Sequence, residues 1–256
     1  MILRRITNAF RKQDWFTVGI ETLIVVLGVF LGIQLGNWNE TRAMSRLGKD
    51  YTVRLIADLE QDLAANKAAS AYYTQVLDSI ETTDRLLYGE DPDAKELVAA
   101  AYRASEFNNN PASRATWDQI VSSGHLGLLP DAAIRSGLPD YYKFQDANLV
   151  GVYALQDTPY RVAVRSLIPL KVQLAIREGC SDVTDDINVI SGFVAECRID
   201  ASDAVLEETA EALMASDTIR TSLRFQYSMI ATVRNNIDGN VILLERVIGA
   251  LGGTAE

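Results

Sequence analysis

This sequence predicts an all-α fold: one N-terminal transmembrane helix followed by an extracytoplasmic antiparallel helical bundle built on two long helices. Three observations support it. Residues 16–40, FTVGIETLIVVLGVFLGIQLGNWNE, form an apolar run long enough to cross a bilayer. Residues 45–88 and 219–251 repeat apolar side chains at steps of three and four, the period of one helix face. Ala, Leu, Glu, Arg and Gln are abundant, whereas only 6 prolines and 16 glycines occur in 256 residues, a composition that favours helix over strand.

The expected organisation is a basic cytoplasmic segment over residues 1–14, a transmembrane helix over 15–38 and an extracytoplasmic helical domain over 39–256. Phe16 to Trp38 spans roughly 34 Å as a helix at about 1.5 Å per residue, slightly more than a hydrocarbon core of about 30 Å. Trp15 with Phe16 at one end and Trp38 at the other are placed for the two membrane interfaces, where an indole buries its ring and keeps its N–H wet. Before the span, Arg4, Arg5, Arg11 and Lys12 outnumber Asp14 and give a local charge of +3 in a chain of formal charge −10. The positive-inside rule therefore puts the N-terminus in the cytoplasm and the body outside, against a weaker opposing bias from Arg42, Arg46 and Lys49.

Two other readings of this segment compete. A cleaved signal peptide also begins basic and turns apolar. Here the apolar stretch is longer than a signal core, and Trp38-Asn39-Glu40 follows where a cleavage site needs small residues, so an uncleaved anchor is favoured. The length and lopsided charge argue against a buried core helix of a soluble protein. The acidic remainder repels phosphate backbones, so the lipid bilayer is an expected partner and nucleic acid is not.

At about 100° per residue, Glu21, Val25, Gly28 and Gly32 share one face of the span, and Gly28, Gly32 and Gly36 make two overlapping G-x-x-x-G steps. Gln34 points to the far side. Small residues four apart let two backbones approach closely, and a carboxyl on the same face would find a partner in an assembled bundle. This face predicts a homo-oligomer or pairing with another membrane protein. The competing account of Glu21 is local: near the cytoplasmic end it reaches the interface or takes up a proton.

The string Gly28, Gln34 and Asn37-Trp38-Asn39-Glu40, with Glu21 opening the apolar run, resembles the N-terminal signature of a family of bacterial single-span membrane proteins of unknown function. Arg54-Leu55-Ile56-Ala57-Asp58-Leu59 looks like that family's first extramembrane helix. Residues 116–142, TWDQIVSSGHLGLLPDAAIRSGLPDYY, look like its central Ser-Gly-x-Leu segment and the Tyr-Tyr helix that follows. Gly32 and Gly36 stand where the family has Ala and Asn, which extends the close-packing face here. The resemblance implies an architecture and a place in a bacterial inner membrane. It implies no reaction.

Beyond the span, Ile56, Leu59, Leu63, Asn66, Ser70, Tyr73, Leu77, Ile80, Asp84 and Leu87 trace the seam of a long helix that should stop near Gly89. If that helix is continuous with the span, Gly36 and Gly48 are the expected bends. Shorter helices are expected over 93–106 and 113–123, separated by the turn-forming Asn108-Asn109-Asn110-Pro111. Asp131 is placed to cap the next helix, which Pro139 should kink or divide. Thr158-Pro159 opens another, running towards Gly179 with a disturbance at Pro169. Ile219, Leu223, Ile230, Ile237, Val241, Leu244, Ile248 and Leu251 line the closing helix, long enough to run antiparallel to residues 45–88.

Residues 180–202 are the least helical, with Cys180 and Cys197, the only cysteines, bracketing SDVTDDINVISGFVAE. Outside the cytoplasm this pair predicts a disulfide that contributes about 3 kcal/mol; inside, two unrelated core residues. His125, in SSGHLG, is the sole histidine. It lacks the G-x-S-x-G elbow and an identifiable third group, so Ser122-Ser123-Gly124 reads as a helix end with Gly124 left-handed. No cofactor or metal is expected: Asp182, Asp185, Asp186 and Asn188 lack the spacing of a calcium loop, and no phosphate-binding glycine motif occurs. Trp117, His125, Tyr141 and Tyr142, with Tyr153, are candidates for a small-molecule groove, against the alternative that the aromatics are core. The expected role is a membrane-anchored interaction or scaffold module, not an enzyme. The alternative is an extracytoplasmic small-ligand sensor working with a partner membrane protein.

Overall fold

The computed structural model describes residues 15–185 and 189–253, with side chains from residue 19 onward. The basic segment 1–14, the Trp15 side chain, and Asp186 and Asn188 therefore lie outside the described residues. The chain divides into two units, residues 1–51 and 52–256.

Helix α1, Trp15–Leu87, enters both units, and its helical assignment has no break at Gly36 or Gly48. In the first unit every residue from 19 to 46 is exposed. Leu23, Ile24, Val25, Phe30 and Leu35 are each more than half exposed, and the most apolar 18-residue window has 0% of its residues buried. A helix of this length and composition with no protein over its apolar side chains fits a membrane anchor.

In the second unit the remainder of α1 is covered by the other elements. These are α2 (Ala94–Arg103), α3 (Ala115–Ser122), α4 (Asp131–Arg135), α5 (Leu138–Ala154), α6 (Pro159–Leu167), α7 (Leu170–Gly179), a hairpin of β1 (Asp182–Thr184) and β2 (Ile190–Phe193), α8 (Asp203–Ala215) and α9 (Asp217–Leu251). Lys67 Nζ lies 3.3 Å from Glu245 Oε1. Ser70 Oγ donates to Asp238 at 2.5 Å. Ile80, Glu81 and Arg85 share a cleft with Leu223, Arg224 and Tyr227. Residue numbers climb on α1 as they fall on α9, so the two long helices run antiparallel, as the sequence predicts.

The buried stripe of α1 is centred earlier than the polarity pattern suggests. Leu59, Leu63, Asn66, Tyr73, Ile80 and Leu87 are buried as expected, but Ile56, Ser70 and Leu77 are only partly so and Asp84 is exposed. Leu55, Asp62, Ala69, Tyr72, Val76, Thr83 and Leu86 complete the stripe. Asp62 and Thr83 are tolerated there because their oxygens are partnered; Thr83 Oγ1 donates to the Ser79 carbonyl at 2.7 Å. On α9, Ile219, Leu223, Ile230, Ile237, Leu244, Ile248 and Leu251 are buried and only Val241 is intermediate.

The punctuation of the shorter elements follows backbone chemistry. Tyr73 donates to the Asn108 carbonyl at 2.7 Å and Asn110 Nδ2 to that of Ala65 at 3.2 Å, which fastens the asparagine turn to α1. Asp131 is the first residue of α4, not its cap; Pro130 holds that position. Gly137, at φ 103°, then reverses the chain, and Pro139 sits in the first turn of α5, where a missing N–H leaves no intrahelical bond unmade. Thr158 Oγ1 accepts the Arg161 N–H at 3.3 Å to open α6. Pro169 separates α6 from α7, and Gln173 Nε2 donates to the carbonyls of Arg165 (2.8 Å) and Ile168 (2.9 Å) at the α6 end.

The residue pattern of 180–202 predicts no strand. The structure places an antiparallel hairpin there, pairing Asp182 with Phe193, Val183 with Gly192 and Thr184 with Ile190. It sits between Cys180 and Cys197, which form a disulfide with Cα atoms 4.4 Å apart. Gln75 Oε1 accepts the Phe193 N–H at 2.8 Å, and Gly192 leaves room for that amide, which a Cβ would meet. At the base, the Arg198 N–H donates to the Gly179 carbonyl at 3.0 Å. A Cβ on Gly179 would collide with the Arg198 carbonyl.

Gly179→Ala is therefore expected to destabilise the domain by about 1–3 kcal/mol, because backbone held next to a disulfide cannot retreat as a flexible side chain can. Reduction of Cys180–Cys197, whose partners are 17 residues apart, should remove about 3 kcal/mol. Both are checked by thermal unfolding of the detergent-solubilised protein, where each kcal/mol corresponds to roughly 2–4 °C. An unchanged midpoint on reduction would show that the bridge is dispensable.

Candidate functional site

Glu21, Gly28, Gly32 and Gly36 are all exposed, and a Cβ placed on any of the three glycines meets nothing within 4 Å. Near the end of the apolar run, the Arg42 guanidinium lies 5.7 Å from the centre of the Trp38 ring, and Thr41 Oγ1 donates to the Asn37 carbonyl at 2.8 Å. These contacts suit an interface, where an indole and a cation share the polar zone.

Trp117, Tyr141 and Tyr142 are brought together but closed inside the protein. Trp117 stacks on Tyr142 at 4.8 Å with planes 9° apart, and Tyr141 meets Tyr142 edge-on at 5.0 Å. Tyr153 is half exposed, its hydroxyl accepting from Asn109 Nδ2 at 2.8 Å. His125 follows the end of α3. Its N–H donates to the Ile120 carbonyl at 2.9 Å and that of Gly124, at φ 70°, to Val121 at 3.1 Å, the paired bonds of a left-handed helix stop.

Beside this aromatic group lies a carboxylate that periodicity does not reveal, reached by the Tyr141 hydroxyl, whereas Tyr142 Oη donates to the Ser113 carbonyl at 3.4 Å. Asp62, 4% exposed, accepts the Ser113 N–H at 2.9 Å and the Tyr141 hydroxyl at 2.8 Å. Gln145 Nε2 donates to Tyr141 Oη at 3.3 Å, and Asn240 Nδ2 to Gln145 Oε1 at 2.8 Å. The chain of bonds joins α1, α5 and α9. Burial raises the Asp62 carboxyl above its ordinary range, the Ser113 N–H and Tyr141 hydroxyl pull it down, and the Asp58 charge adds to the rise.

A second cluster surrounds the hairpin. Glu106 lies 2.9 Å from Arg165 and 3.7 Å from Arg161. Arg165 also donates to Ser105 Oγ at 2.8 Å and stacks 3.4 Å from the centre of the Tyr102 ring. Arg103, on α2, donates to the Val194 carbonyl at 2.9 Å and lies 4.9 Å from the centre of the Phe193 ring, while its Nε is buried without a partner. Burial lowers the Arg103 pKa and the Asp182 charge opposes it. Arg103 and Phe193 line two cavities. One, of about 490 Å³, lies among α1, α2, the hairpin and Cys197. The other, of about 120 Å³, includes Glu106, Arg177, Cys180 and Asp182.

No protein-family model matches the chain, and neither a curated protein nor a solved structure matches it. The two extramembrane stretches that carry the family resemblance do meet in the fold: Arg54 Nη1 donates to Gln119 Oε1 at 3.0 Å. Among the described residues no group of three or more His, Cys, Asp or Glu side chains is arranged to hold a metal. A polar cleft with charges of both signs and an aromatic wall can bind a small polar molecule. Arg103 was legible only as a cation on an amphipathic helix, since its neighbours Phe193 and Val194 are distant in sequence.

Tyr141→Phe keeps the ring and removes one donor from a buried carboxylate, so it should destabilise by about 1.5–3 kcal/mol at neutral pH. Because the folded protein holds the Asp62 proton more tightly than the unfolded chain, the contribution of Asp62 to stability falls as pH rises from the ordinary carboxyl value of 3.8 through the raised one. The variant raises that pKa further. Unfolding at pH 4 and pH 7 should therefore show Tyr141→Phe further below the parent in stability at pH 7 than at pH 4; an equal difference at the two would exclude the coupling.

Proposed function

We propose that this is a bacterial inner-membrane protein whose single span holds a helical domain outside the cytoplasm, where it acts as an interaction or scaffold module. The observation that carries the reading is the uncovered apolar stretch of α1, where every residue from 19 to 46 is exposed. Lipid is the partner that such a surface fits. The disulfide between Cys180 and Cys197 supports export, because such bonds persist in oxidising compartments. The basic residues before the span support an N-terminus inside. Membership of the bacterial single-span family is part of the proposal and is supported by residues 16–40 and 116–142.

The open Gly28, Gly32 and Gly36 face supports self-association of the span or pairing with another membrane helix. A second reading, an extracytoplasmic ligand sensor that relays through a partner, is favoured by the cavity at Arg103.

Replacing Gly28 and Gly32 together by Leu should weaken association of the span several-fold in a membrane dimerisation assay; unchanged association removes this face from the mechanism. Protease added to intact spheroplasts should digest the helical domain. Protection that ends only on lysis would reverse the orientation.

A further inference from the structure

The cavity of about 490 Å³ lies within the 300–1,000 Å³ range of small-molecule sites. Its two long walls are helix faces at i, i+3, i+4 and i+7: Gln75, Asp78, Ser79 and Thr82 on α1, and Glu96, Ala99, Ala100 and Arg103 on α2. The alanines leave a trough, and Phe193 closes one end. Arg85 and Glu96 form an exposed ion pair at 2.9 Å, which marks the register of these antiparallel helices. Asp78 lies two turns before Arg85 and Arg103 two turns after Glu96, so Asp78 and Arg103 face each other across the cavity.

Opposite charges so placed would ordinarily close on one another. Here they do not. Among the described residues Asp78 makes no ion pair, and Arg103 is held back by its bond to the Val194 carbonyl and by the Phe193 ring. Arg103 has donors left over, since its Nη2 bond to the Val194 carbonyl uses only one N–H of the guanidinium fork. Glu96 is already matched by Arg85, and Asp93 Oδ1 caps α2 by accepting the Glu96 N–H at 2.8 Å. Lys95 also lines the cavity and is exposed. An unmatched carboxylate and a restrained guanidinium across one cavity complement a ligand head with an ammonium and a carboxylate together.

We propose that this cavity binds a free α-amino acid, its carboxylate on Arg103, its ammonium on Asp78 and its side chain in the Ala99–Ala100 trough. The site rests on the ligand-sensing reading above. It also accounts for the disulfide hairpin, because Phe193 and Val194, carried between the cysteines, hold Arg103 in place.

The test uses the detergent-solubilised full chain, screened by thermal shift against each standard L-amino acid at millimolar concentration and against a library of unrelated small molecules, with hits quantified by titration calorimetry. At least one amino acid should bind, and its des-amino and carboxamide analogues should bind at least tenfold more weakly. Asp78→Asn and Arg103→Gln should each weaken binding at least tenfold; Asp78 is exposed, so its variant should fold even where the Arg103 variant does not. Equal affinity for the des-amino analogue, or binding indifferent to Asp78→Asn, would overturn the assignment. Binding of another ligand class alone overturns the amino-acid assignment and leaves ligand sensing standing; no shift with any compound removes both.

Discussion

An apolar helical surface with no protein against it is the constraint on which the rest of the architecture turns. Between residues 19 and 46, α1 buries nothing, whereas from residue 52 it carries Leu55, Leu59, Tyr72, Tyr73 and Val76 at the centre of a packed domain. One helix thus carries both an uncovered apolar stretch, which fits a membrane anchor, and a packed one. In lipid the side chains need only be apolar and the backbone internally bonded, which a helix satisfies unaided. In the helical domain the same backbone needs partners that exclude water from one face and leave the other wet.

Polar groups define how that domain closes. Hydrophobic burial is non-directional, so a bundle of amphipathic helices has several near-equivalent packings. Asp62 discriminates among them because its two oxygens require Ser113 and Tyr141, and Tyr141 in turn engages Gln145 and through it Asn240. A rotation of α1 or α9 would strand a buried carboxylate or amide. The Glu106 carboxylate, between Arg161 and Arg165, fixes α6 against the residues after α2 in the same manner.

The hairpin joins this scheme through small residues instead of large ones. Gly179 permits backbone contact with Arg198 beside the disulfide, and Gly192 permits Gln75 to reach the Phe193 N–H. Phe193 then packs at 5.1 Å on Tyr72 of the core and under Arg103. A segment with little apolar area of its own is positioned by a covalent bond and two close approaches, and it builds one wall of the cleft.

Local chemistry made much of the fold legible in the sequence. The length of the apolar run, the amphipathic period of each long helix, the stop at Gly124, the Thr158-Pro159 start and the Cys180–Cys197 bridge all depend on residues close together in sequence or on the only two cysteines. What periodicity did not show was the polar interior: Asp62 and Thr83 lie outside the seam it predicts, because burial of a polar side chain depends on partners such as Tyr141, far away in the chain. The hairpin was hidden for the same reason, since its short strands are stabilised by Gln75 and the disulfide more than by their own pattern. Likewise the sequence offered Trp117, His125, Tyr141 and Tyr142 as a groove, or the aromatics among them as core, and only tertiary packing decided that Trp117, Tyr141 and Tyr142 close into core while Arg103 and Asp78 line a cavity. Side-chain type fixes what a residue can do; which groups it meets is set by long-range contacts that no local window contains.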